Sequence, residues 1–145
     1  MIDLALFRFS YQVQIRFADM DALEHVNNAK YFTYMETARL QYFKAVLGWA
    51  GERSKLGVIL ARATCDFKLP LVLDDTIKVY ARVSRIGQKS FDFEFAIVRD
   101  SDNAIAAEGT GVQVAYDYKK LISVDVPDKW REIMTAYEPA LGHGT

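Results

Sequence analysis

The stretch FADMDALEHVNNAKYFTYMETARLQYF, Phe17–Phe43, joins two different patterns end to end. Its first part gathers Asp19, Asp21, Glu24, His25, Asn27 and Asn28. Its second part carries a helical period. Tyr31, Met35, Ala38, Tyr42, Ala45 and Val46 share one side, and Phe32, Leu40, Phe43 and Leu47 widen that stripe. A stripe so broad predicts a helix over about 28–47 that is largely wrapped by other structure. Asn27 or Asn28 suits its start and Gly48 its end.

Upstream, YQVQIRFA (11–18) alternates, with Tyr11, Val13, Ile15 and Phe17 on one face, which is strand periodicity. Downstream, four runs alternate in the same way: VILARATCDFKL, TIKVYARVSRI, SFDFEFAIVRD and AIAAEGTGVQVAYDY. Turn-like breaks, LPLVLDD, RIGQKS and RDSDNA, separate them. A short helix over about 127–137 follows, then a loose tail after 138. Without helical crossovers the strands are expected to pair mostly antiparallel. The fold class is therefore α+β, a curved antiparallel sheet wrapped around a long central helix. At 145 residues the chain suits one domain, 1–145.

Composition narrows the function. A net charge of −1 gives no electrostatic case for nucleic acid. No apolar run is long enough for a transmembrane helix, and the start lacks the basic and apolar regions of a signal peptide. One cysteine excludes an internal disulfide and fits a cytoplasmic setting. Two histidines and one cysteine offer no metal-site spacing, and no serine-hydrolase elbow is present.

The polar cluster reads in two ways. Asp, Glu and Asn before a helix are ordinary capping groups. Equally, a helix start offers free amides for a developing oxyanion, and a carboxylate beside it can attack a carbonyl or activate water. Thioester hydrolysis needs little else, because a thiolate leaves readily. Asp19 is expected to hold the loop, Glu36 and Arg39 to pair on the helix, and Cys65 to be an inert thiol on an apolar strand face.

Asp19-x-Asp21, HVNN (25–28), Tyr31 and ETAR (36–39) together resemble the signature of the 4-hydroxybenzoyl-CoA thioesterase-like family of hotdog-fold acyl-CoA thioesterases. CDFKLPLVLDDTIKVYARVSRIGQKSFDFEFAI resembles that family's later strands, with Gly87-x-x-Ser90 in place. Where the family has glycine before the histidine, this chain has Glu24. The resemblance implies a hotdog fold and Asp21 as the catalytic carboxylate. A backbone amide near Asn27–Asn28 would polarise the thioester carbonyl, with His25 and Tyr31 as substrate-binding candidates. Lys89 and Ser90 become candidates for coenzyme A. It also implies a homodimer or homotetramer, and no cofactor beyond the coenzyme A of the substrate. Two alternatives remain open on the sequence: substrates carried by acyl carrier protein, and a non-catalytic acyl-binding or assembly hotdog protein.

Overall fold

The computed structural model describes residues 2–49 and 56–141. Its elements run β1 (Phe9–Gln14), α1 (Asn28–Leu47), β2 (Leu56–Phe67), β3 (Thr76–Ile86), β4 (Ser90–Arg99), β5 (Ala104–Asp117), β6 (Ile122–Ser123) and α2 (Asp128–Tyr137). The sheet order is β1-β3-β4-β5-β2, antiparallel throughout, with the short β6 on β5. Hairpins join β3 to β4 and β4 to β5. β2 instead crosses to the far edge, through a segment that tucks Leu71 into the core. The expected curved sheet around a long helix is the architecture observed.

α1 has the expected bounds. Its first turn is closed by Asn27, whose Oδ1 accepts from the Ala29 amide at 2.9 Å. Its last turn ends on Gly48 at φ +68, a conformation that costs glycine little. Tyr31, Tyr34, Met35, Ala38, Tyr42 and Phe43 are buried along it, at the 3- and 4-residue spacing of one helix face. Against them lie Ile77, Val79, Phe91, Phe93 and Phe95 from the sheet's inner face, many in edge-to-face aromatic pairs. Gly109 allows α1 to sit this low. A Cβ there would run into the Met35 sulfur and lie 2.8 Å from the Thr64 carbonyl oxygen.

Three expectations are corrected. The first strand ends at Gln14, and Phe17 is 82% exposed rather than inward. The cause is local: the Asp19 carboxylate accepts from the Arg16 amide and closes a 3-10 turn over Phe17–Asp19, which breaks the two-residue period. α1 is wrapped less widely than its broad stripe predicts, because Phe32, Thr33 and Glu36 face outward beside the open edge strand β2. The tail after 138, as far as it is described, is anchored rather than loose. Leu141 is buried and the Ala140 carbonyl accepts from Arg82.

Glu138, at the head of that tail, is buried and accepts from the Tyr42 hydroxyl and from the Val83 amide at 2.8 Å. Burial pushes its carboxyl above the ordinary range, against the opposing effect of those two donors and of Arg82 and Arg8. A raised carboxyl contributes stability that is full below its unfolded value near 4.5 and is lost as pH rises through the folded value. Thermal melts of Glu138→Gln, which keeps an acceptor oxygen, should therefore lose less Tm than wild type between about pH 4.5 and neutral. Parallel Tm curves for the two proteins would contradict this.

Candidate active site

The loop between β1 and α1 is built around two aspartates with different jobs. Asp19 is 1% exposed. Its Oδ2 accepts from the Tyr34 hydroxyl at 2.7 Å and the Arg16 amide at 3.1 Å, and its Oδ1 from the Arg16 guanidinium at 3.0 Å. Burial alone would raise its carboxyl. The Arg16 amide, the Tyr34 hydroxyl and the Arg16 guanidinium outweigh burial and hold it below the ordinary range. Asp19 thus ties the loop to the buried face of α1, the structural role expected of it.

Asp21 lies out on the loop. Its Oδ1 accepts from the Leu23 amide at 2.8 Å and the His25 amide at 3.3 Å, while its own amide donates to the His25 carbonyl at 2.8 Å. Its Oδ2 has no partner among the described residues. The loop is pinned onward by Val26 N–H to the Leu71 carbonyl and Asn27 N–H to the Asp19 carbonyl, at 2.8 and 2.9 Å. One carboxylate oxygen is therefore fixed by backbone donors and the other has no partner among the described residues.

Asn27 spends its side-chain oxygen on the helix cap. The Asn28 amide has no protein partner among the described residues, and it opens the helix with the positive end of the dipole behind it. His25 is exposed and adjoins Asp21 through the backbone. Tyr31 is 2% exposed, and its hydroxyl donates to the Leu69 carbonyl at 3.0 Å. Asp21, His25, Asn27 and Asn28 are thus brought together at the helix start, while Tyr31 is buried on the first turn of α1 against Phe67 with its hydroxyl engaged by Leu69.

Lys89 and Ser90 are not brought to this cluster within one chain. They sit at the β3–β4 turn, while the loop lies at the sheet end where Gln14 pairs Thr76 and Ile77 pairs Arg99. The ten residues of β4 separate the two ends, about 30 Å at roughly 3.3 Å per residue.

A cavity of about 120 Å³ opens between α1 and the β4, β5 and β2 strands. Phe32, Glu36, Arg39, Leu60, Phe95 and Gly111 help to line it. Arg39 is mostly buried and lies 3.8 Å from Glu36, the pairing expected on the helix. Burial pulls the Arg39 guanidinium below its ordinary basicity, with the Glu36 charge opposing.

The family model of the Thioesterase-like superfamily matches residues 15–134, which include the whole of this loop, α1 and the sheet beyond β1. The chain belongs to that superfamily. Its fold is the hotdog fold of that superfamily's thioesterases. A thioesterase from Thermus thermophilus, solved with coenzyme A and Zn, is 32% identical and superposes with a TM-score of 0.79 over 90% of this chain and 94% of that one. The PA5185 protein of Pseudomonas aeruginosa PAO1 superposes at 0.86 over 95% and 96%, with 22% identity, a likeness of fold. The long-chain acyl-CoA thioesterase FadM of Escherichia coli K12 is 21% identical over 83% of this chain and 92% of its own length. The match to the uncharacterized YsmA of Bacillus subtilis strain 168 spans 60% of that protein.

For this thioesterase-like chain the Glu24 departure has a clear conformation. Glu24 sits at φ +64, the left-handed region that favours glycine. The loop keeps the shape a glycine would take, at the cost of strain on a side chain that is exposed. Glu24→Gly should raise stability by up to about 1 kcal/mol, read as Tm, and leave turnover close to wild type. A loss of Tm would show that the Glu24 side chain makes the loop.

Sequence reasoning did not single out Gln113. It is fully buried on the inner face of β5, between Gly111 and Ala115. The available signal was a polar residue in an inward position of an otherwise small and apolar alternation.

Proposed function

We propose that this chain hydrolyses acyl-coenzyme A thioesters to a carboxylic acid and free thiol. The observation that carries the reading is Asp21: one oxygen held by two loop amides, the other free, beside the unpartnered Asn28 amide at the start of α1. The thioester carbonyl oxygen would accept from that amide, which stabilises charge as it develops. Two routes use the same positions. Asp21 attacks the carbonyl carbon, expels the thiolate and leaves a mixed anhydride that water cleaves; or it takes a proton from a water that attacks directly. Either consumes one water and releases one thiol and one carboxylate.

The same reading makes the working unit a homodimer or higher oligomer. β2 is a twelve-residue edge strand, with Leu56, Ile59, Leu60 and Phe67 all exposed, as is Phe32 on the adjoining helix face. A long apolar edge invites pairing with a second copy. Two β2 edges paired antiparallel bring the Lys89–Ser90 end of one sheet level with the Asp21 end of the other. That supports Lys89 and Ser90 as contacts for coenzyme A phosphates across the two-fold, which one chain alone does not provide.

In this reading water is the only co-reactant, and EDTA leaves turnover intact. The chain works in the cytoplasm, in keeping with a lone Cys65 whose thiol is pushed up to about 11 by burial and is thereby unreactive. Among the described residues no helix is long and apolar enough to cross a membrane.

The test is thiol release from short, long and aromatic acyl-CoAs, run beside the same acyl groups on acyl carrier protein. Faster release from coenzyme A supports the reading. Release from carrier protein alone replaces coenzyme A with a protein partner, and binding without release makes the chain an acyl-binding protein.

A further inference from the structure

Two residues along β5 from Gly111, which lines the cavity under α1, lies a polar group that the fold itself does not use. Gln113 is fully buried, and both its amide nitrogen and its amide oxygen lack a hydrogen-bond partner among the described residues. A buried amide without a partner carries an uncompensated desolvation cost, and so calls for a partner. The position of the amide is defined by Gly111. A Cβ on Gly111 would meet Phe95 at 3.4 Å, and the Gln113 nitrogen and a Leu60 methyl at 3.5 Å each. Phe95, Leu60 and Gly111 all line the cavity. The Gln113 amide therefore sits one contact behind the cavity wall, and Gly111, having no side chain, leaves only a methyl-sized gap between the two.

The cavity is also placed to receive an acyl group whose carbonyl rests at the start of α1. At 1.5 Å per residue, Phe32 lies about 6 Å and Arg39 about 16 Å along the helix from Asn28. Phe32, Glu36 and Arg39 form the helix side of the cavity, so it extends away from Asn28 along α1. Its volume of about 120 Å³ is near the ~150 Å³ that accommodates a benzene ring.

Resting on the thioesterase reading above, we propose that Gln113 is a specificity-determining residue, and that the preferred acyl group carries a hydroxyl or oxo oxygen on its far part, hydrogen-bonded by the Gln113 amide. A purely hydrocarbon tail would fill the same cavity but leave the amide desolvated and unpaired. A site built to hydrogen-bond a substrate oxygen rejects the isostere that lacks it more strongly than an apolar site rejects an added oxygen.

The experiment measures kcat/KM on size-matched acyl-CoA pairs: 4-hydroxybutyryl with pentanoyl, 11-hydroxyundecanoyl with dodecanoyl, and 4-hydroxybenzoyl with 4-methylbenzoyl. For at least one pair the wild-type protein should favour the oxygenated member by about tenfold or more. In Gln113→Met that ratio should fall to near one, with the oxygenated member losing and the hydrocarbon member holding or gaining. Tm should not drop, since two unpaired polar atoms leave the core. If Gln113→Met does not fold, Gly111→Ala, whose methyl would stand in front of the amide at ordinary contact distance, should lower the same ratio. Thiol release with no oxygen preference in any pair, or with a ratio that Gln113→Met leaves unchanged, overturns this inference and leaves the thioesterase reading standing. No thiol release from any pair overturns both.

Discussion

Asp21→Asn is expected to lower kcat/KM for acyl-CoA by about 10²-fold or more, with Tm close to wild type. The substitution keeps a side-chain oxygen for the Leu23 and His25 amides, so the loop retains the two bonds that shape it. What it removes is the second carboxylate oxygen, the one without a protein partner among the described residues. An amide is neither a useful nucleophile nor a base at neutral pH, so both routes through Asp21 close together. The loss should fall mainly on kcat, because the substitution leaves the Asn28 amide and the cavity beside α1 unchanged. A variant that melts like wild type and turns over like wild type would remove Asp21 from the chemistry.

Asp19→Asn should be the most damaging substitution in the loop for stability, at about 2–4 kcal/mol. Three donors converge on this carboxylate: the Tyr34 hydroxyl, the Arg16 amide and the Arg16 guanidinium. An asparagine presents one acceptor where two were in use, and its NH2 faces donors. The buried Tyr34 hydroxyl or the Arg16 amide is then left short of a partner. Turnover should fall as well, because the Asp19 carbonyl also receives the Asn27 amide that sets the entry to α1. A carboxyl held below its ordinary range contributes stability that is present above its unfolded value and lost as pH falls through the folded one. The variant should therefore lose stability less steeply on acidification than wild type does, and denaturant melts across that range would show it. An Asp19→Asn protein with wild-type stability and activity would contradict the anchoring role.

The helix and four of the strands were legible in the sequence because each carries its own period over ten residues or more. Asn27 and Gly48 were legible as caps because capping is local chemistry. The end of β1 was not, because a side-chain hydrogen bond to Asp19 overrides the alternation that Phe17 would otherwise continue. The position of β2 at the sheet's far edge was not legible either, since strand order depends on contacts far apart in the chain. The open face of α1 followed from the same cause. The pattern made Asp21 and the helix start candidates alongside ordinary capping, and the motif resemblance singled them out, since carboxylates and asparagines before a helix are common. Gln113 and Glu138 passed unremarked because a single polar residue in a strand, or after a helix, reads as exposed until the fold buries it.

The most direct test of the central claim is a side-by-side record of free-thiol release by wild type and Asp21→Asn, at matched folded concentration, on the acyl-CoA that wild type handles best. The account predicts saturable release by wild type and a rate at least about 10²-fold lower in the variant. Equal rates would contradict it.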